Sequence, residues 1–122
     1  MTSASGRLLS RLLALAGLAT GITLLARPQR VAQAVAPAFP ADRTWLVRAL
    51  GIRLLAQHGT VLLSPSPAVI RASSAVDLLH AATMVPFVAS PRYGRAARVS
   101  GGLAAAYAAI ALAVAPRSEG GQ

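Results

Sequence analysis

Four ionisable residues stand where an apolar chain would exclude them. Arg48 and Arg53 lie inside one long apolar stretch, and Asp77 and His80 inside the next. A guanidinium and a carboxylate can form a charge-assisted pair. An imidazole three residues from a carboxylate can pass a proton. Asp77, His80 and Met84 follow one another by three and then four residues, the spacing of one helical face. Ser64-Pro65-Ser66-Pro67 separates the two stretches with a tight turn. The stretches should therefore form an antiparallel hairpin in which residues equidistant from the turn share a depth. Arg53 lies twelve positions before Pro65 and Asp77 twelve after it. At helical rise both sit about 18 Å from the turn. Gln57 falls opposite Ser73 by the same count. Arg48 falls at the depth of residue 82, within reach of His80 or Asp77.

This arithmetic predicts an Arg53–Asp77 ion pair, because an unpaired charge at mid-membrane costs at least ~2.5–3.5 kcal/mol. Such a pair can do no more than fix the register of the hairpin. A proton path through Asp77 and His80 is the functional alternative. Arg48, Arg53, Asp77 and His80 together read as one intramembrane polar cluster with two arginines to one aspartate. A lipid phosphate or a carboxylate from a neighbouring subunit would restore the balance. Two histidines and one interior aspartate make no recognisable ligand set, so neither metal nor cofactor is expected. His58 reads as a helix-face residue near the turn. No nucleophile elbow, phosphate loop, zinc-protease or dinucleotide-binding motif occurs, so no catalytic residue is assigned and no enzyme activity is expected.

Composition says what must surround these residues. Of 122 residues, 55% are hydrophobic and 12% charged, against roughly 25% charged in a typical soluble domain. So little charge cannot cover a soluble monomer. The absence of Cys excludes a disulfide-stapled secreted domain. All twelve basic residues are Arg, against three acids. A net charge of +9 invites a nucleic-acid reading, but aromatics are only 4% of the chain. The arginines mostly flank apolar runs, as they do when they orient a membrane protein. Nucleic acid is therefore not an expected partner.

Four apolar segments follow, at about residues 8–26, 42–63, 67–89 and 95–115, each near the length that crosses a bilayer. Arg27-Pro28-Gln29-Arg30 stops the first. A cleaved signal peptide is the rival reading of that segment, with Ala-x-Ala sequences near Ala34, but Arg27 and Arg30 fall between the apolar run and those sites. Residues 31–41 read as a linker broken by Pro37 and Pro40. Asp42 is a candidate N-cap for the second segment and Ser66 for the third. Trp45 sits in the first turn of the second segment, where interfacial Trp is common. Pro86 should kink the end of the third segment. In the fourth, Gly101, Ala105, Ala109 and Ala113 recur every four residues and make a small-residue face suited to close helix packing. Residues 116–122 read as a disordered tail. The expected fold is all-α: a four-transmembrane-helix bundle with a central helical hairpin, one membrane domain over residues 1–122.

The first and third loops hold Arg27, Arg30, Arg43, Arg92, Arg95 and Arg98. The other side holds Arg7, Arg11 and Arg117, with Arg71 near its surface. The balance puts the first and third loops in the cytoplasm of a multi-pass plasma-membrane protein.

Arg48-Ala49-Leu50-Gly51-Ile52-Arg53 and the later Asp77-Leu78-Leu79-His80 resemble the R-x-x-G-x-R and D-x-x-H segments of small actinobacterial four-helix membrane proteins, distantly DoxX-like. The likeness spans about residues 43–115. It implies a membrane-embedded four-helix fold and no particular activity. The leading functional expectation is a non-catalytic accessory or assembly subunit of a larger envelope-transport or respiratory membrane complex. It would dock through its small-residue face, with anionic lipid against its arginine-rich surface. The alternative is a small transporter, or a lipid- or proton-handling protein, that uses the Arg/Asp/His cluster.

Overall fold

The computed structural model describes residues 3–116, and among these it holds helices and no strand. α1 runs Ser3–Ala26, α2 Pro28–Val35, α3 Thr44–Leu63, α4 Pro67–Met84 and α5 Gly94–Val114. Short 3-10 turns lie at Ala41–Arg43 and Val85–Phe87. Four stretches are long and apolar enough to cross a membrane: Ala4–Ala26, Ala41–Leu63, Pro67–Phe87 and Gly94–Val114. The chain is thus an all-α bundle with the four expected spans. The expected tail from residue 117 onward lies outside the described residues.

The prolines set the boundaries, not always as expected. Pro28 ends α1 but also opens α2, taking the first helical position. Proline suits that position because its missing N–H would have no helical partner there and its φ is already set. The segment expected to be a linker over 31–41 is therefore helical as far as Val35. Asp42 does not cap the second span. It lies in a 3-10 turn, and the residue before α3 is Arg43, which makes no side-chain capping bond. Ser66 does cap α4: its hydroxyl accepts the Val69 amide at 3.2 Å, with Pro67 in the first position. Pro86 tightens the chain into the Val85–Phe87 turn, so α4 stops at Met84 short of residue 89.

Packing follows the glycines. α1 lies closely along α3, and α4 along α5, whereas α3 and α4 touch sparingly despite the short turn between them. At the α1–α3 crossing, a Cβ on Gly21 would sit 2.9 Å from the Gly51 carbonyl oxygen, and one on Gly51 2.8 Å from that of Gly21. The backbones meet there because neither residue has a side chain. At the α4–α5 crossing, Gly101 lies against Met84 and Ala81. The seam between α3 and α4 instead carries the long side chains of Arg53 and Gln57. The hairpin keeps its predicted register but is not the tight centre of the bundle; the two flanking pairs are. On α5 the buried face runs through Ala97, Gly101, Ala104 and Ala108, at the spacings of a 3.6-residue period. Of the small-residue stripe, Gly101 packs inward while Ala105 and Ala109 face out.

The buried core is small and sits near the turn, around Ala14, Val61 and Ile70. At the same end Arg11 Nε donates to the Leu62 carbonyl at 3.3 Å. Large apolar side chains cover the outside instead: Leu12, Ile22, Ile52, Leu79, Leu103 and Ile110 are all exposed. Hydrocarbon, not water, is the solvent that suits such a surface.

Candidate functional site

Arg53 on α3 and Asp77 on α4 meet as counted from the turn. Arg53 Nη1 lies 3.4 Å from Asp77 Oδ1, with Asp77 buried and the Arg53 side chain 25% exposed. The same nitrogen donates to Gln57 Oε1 at 2.8 Å. Gln57 Nε2 in turn donates to the Ser73 hydroxyl at 2.8 Å and its carbonyl at 3.2 Å. Residues 53 and 57 share a helical face, as do 73 and 77, so one short polar ladder ties α3 to α4. Because α1 packs on α3 and α5 on α4, this ladder joins the two halves of the bundle.

Arg48 does not join it. Five helical residues separate Arg48 from Arg53, a rotation of about 140° between their side chains. Arg48 is exposed and lines a polar hollow with Arg27, Arg30 and Thr44. The count from the turn puts Arg48 near His80, but its azimuth turns it away from the pair. The expected two-to-one imbalance at Asp77 is a one-to-one pair. His80 lies one turn along from Asp77, half-buried, and its Nε2 is buried without a hydrogen-bond partner. The four-residue cluster thus resolves into an ion pair, a nearby histidine and an arginine that belongs elsewhere.

His58 belongs to the interior. It is 4% exposed, its ring centroid is 5.2 Å from that of Tyr107, and a Cβ on Gly17 would overlap it. A cavity of about 10 Å³ touches His58, Ser10, Asp77 and Tyr107. The His58 Nε2 and the Ser10 and Ser74 hydroxyls are buried without partners. The sequence holds one signal for this placement: Gly51, Leu54, His58 and Val61 form a single helical stripe, and all four are buried.

The halves part at the end away from the turn. Two cavities of about 450 and 510 Å³ share Phe39, Val47, Leu50, Ala96 and Ser100 as lining, and so lie side by side as a cleft between α3 and α5. Its walls are almost wholly apolar. The apolar face of α2, through Val31 and Val35, closes one side. Arg43, Trp45, Phe87 and Tyr93 stand at the mouth, with His80 on the wall. Arg53 and Asp77 form the floor. The Tyr93 ring meets Phe39 and Phe87 edge-on, at centroid separations of 5.7 and 6.2 Å. From Thr44 to Arg53 is nine residues, or about 14 Å of helix. That is close to half of the ~30 Å hydrocarbon core. Comparison with known protein families, curated proteins and solved structures finds no match to this chain.

Proposed function

We propose that this multi-pass membrane protein is a non-catalytic lipid-handling protein that holds one acyl chain of a membrane lipid in the cleft between α3 and α5. The observation that carries this reading is the cleft itself. It is apolar, of the size that ligand sites take, one leaflet deep, and aromatic at the mouth, where headgroups lie. An acyl chain is the occupant such walls suit at that depth. The ion pair at the floor is already self-compensated and serves to clasp the helix pairs. The arginine balance supports a mouth in the cytoplasmic leaflet of the plasma membrane. The resemblance of the Arg48–Arg53 and Asp77–His80 segments to DoxX-like four-helix proteins accords with such a bundle. The test is native mass spectrometry of the chain purified in mild detergent. The wild-type protein should retain one phospholipid. Ala96→Phe, which places a ring on the lining that the two cavities share, should release it without loss of helix. Equal retention by both proteins would refute the reading.

The accessory-subunit reading has one observation in its favour. Beside Gly102 there is open space, and Ala105 and Ala109 are exposed on the outer face of α5. That surface admits another helix at close range. Ala105→Leu with Ala109→Leu should then release a co-purifying membrane protein while leaving lipid retention intact. Purification of the wild-type protein with no partner would count against it.

A further inference from the structure

A second site lies at the same end of the bundle, on polar ground. α1 ends, α2 begins and the first turns of α3 pass by around a hollow of about 460 Å³ lined by Arg27, Arg30, Thr44 and Arg48. All three arginines are exposed. Among the described residues none of them has an ion pair with a carboxylate. Asp42, the acid nearest in the sequence, is not paired with any of them. Three guanidiniums around one hollow repel one another and concentrate positive potential there. Arg27 stands between the end of α1 and Pro28, which opens α2, so the negative end of one helix dipole meets the positive end of the other and the arginines set the potential here. Arg48 lies about four residues into α3, beside Trp45, so a long side chain reaches the headgroup level.

We infer that this hollow binds a phosphate group at the membrane surface. Guanidinium forks match phosphate oxygens in pairs, and two or three of them can hold one tetrahedral anion. The source is either an anionic lipid headgroup or free phosphate. The site is separate from the cleft and stands whether or not the cleft takes a lipid.

The experiment uses the full chain in neutral detergent. Binding of phosphatidic acid is compared with that of diacylglycerol, which lacks the phosphate, and with that of inorganic phosphate. Arg27→Gln/Arg48→Gln is set against Arg92→Gln/Arg95→Gln, which removes equal charge from the same end of the molecule. The first variant should weaken phosphatidic acid binding about tenfold or more, and the second less than about twofold. Inorganic phosphate that binds and displaces the lipid, with the same dependence on Arg27 and Arg48, supports the site and identifies free phosphate as a source. Lipid binding that inorganic phosphate leaves unchanged supports the site with the headgroup as its source. Thermal midpoints of both variants without lipid should match the wild type, which separates lost binding from lost fold. Ala96→Phe should leave phosphatidic acid binding at this site unchanged. Equal weakening in both double variants, or diacylglycerol binding equal to that of phosphatidic acid in the Ala96→Phe background, where the cleft is blocked, would overturn the inference.

Discussion

Removing the Asp77 carboxylate and removing the whole Arg53–Asp77 pair should have different outcomes. Asp77→Asn leaves a guanidinium at mid-membrane with only Gln57 and a neutral amide beside it. The expected loss is about 2.5–3.5 kcal/mol. Arg53→Leu with Asp77→Leu removes both charges and should lie within about 1 kcal/mol of the wild type, because apolar replacement of an internal pair is often neutral. Reversible unfolding in mixed micelles reads both, and a double variant as unstable as Asp77→Asn would show that the charges serve more than the clasp. A second residue-scale test concerns His58. Gly17→Ala drives a methyl group into its ring and should cost about 1–3 kcal/mol. In the His58→Ala background that cost should largely vanish, giving a coupling of about 1–2 kcal/mol. Strict additivity would contradict the contact. The ion pair was legible in the sequence because depth in a hairpin needs only counting. Counting from the turn does not place Arg48 or His58, because burial depends on azimuth: the helical period turns Arg48 about 140° from Arg53, and the helix crossings decide which stripe of α3 faces inward.

The crossings are where the elements are specified. Gly51 and Gly102 are both helical glycines, and replacing either by Ala brings the same gain in helix propensity, up to about 1 kcal/mol. A Cβ at Gly51 meets the Gly21 backbone oxygen at 2.8 Å, whereas at Gly102 nothing lies within 4 Å. Gly102→Ala should therefore be neutral or stabilising. Gly51→Ala should be destabilised relative to it by about 1–3 kcal/mol. Equal melting of the two would mean that α1 and α3 do not cross there. Within the R-x-x-G-x-R segment, Gly51 thus serves the α1–α3 contact, Arg53 the α3–α4 clasp and Arg48 the polar rim. The spans themselves were legible from apolar length and from flanking proline and arginine. α2 is not legible in the sequence because Pro28 can end one helix and open the next, taking the first position where its missing N–H costs nothing. The small-residue stripe on α5 was legible as a pattern but not in direction, since an alanine-rich helix offers several such stripes and packing against α4 selected the one through Ala104 and Ala108.

At the scale of the molecule, one end is closed by a small core under the turn and the other is parted into a cleft. Sequence patterning shows that the outside is apolar. It does not show that two helix pairs diverge, because the divergence arises from where glycines let backbones meet and where Arg53 and Gln57 hold them apart. A lipid chain filling that cleft would lie near a reporter of the protein's own: Trp45, the only tryptophan, lines the mouth. The direct measurement is quenching of Trp45 fluorescence by a phospholipid with brominated acyl chains, titrated into the protein in unbrominated detergent. Saturable quenching at about one lipid per chain is expected, with Ala96→Phe requiring about tenfold more lipid. Quenching that only rises in proportion to the brominated fraction of the micelle, identically in the wild type and in Ala96→Phe, would contradict it.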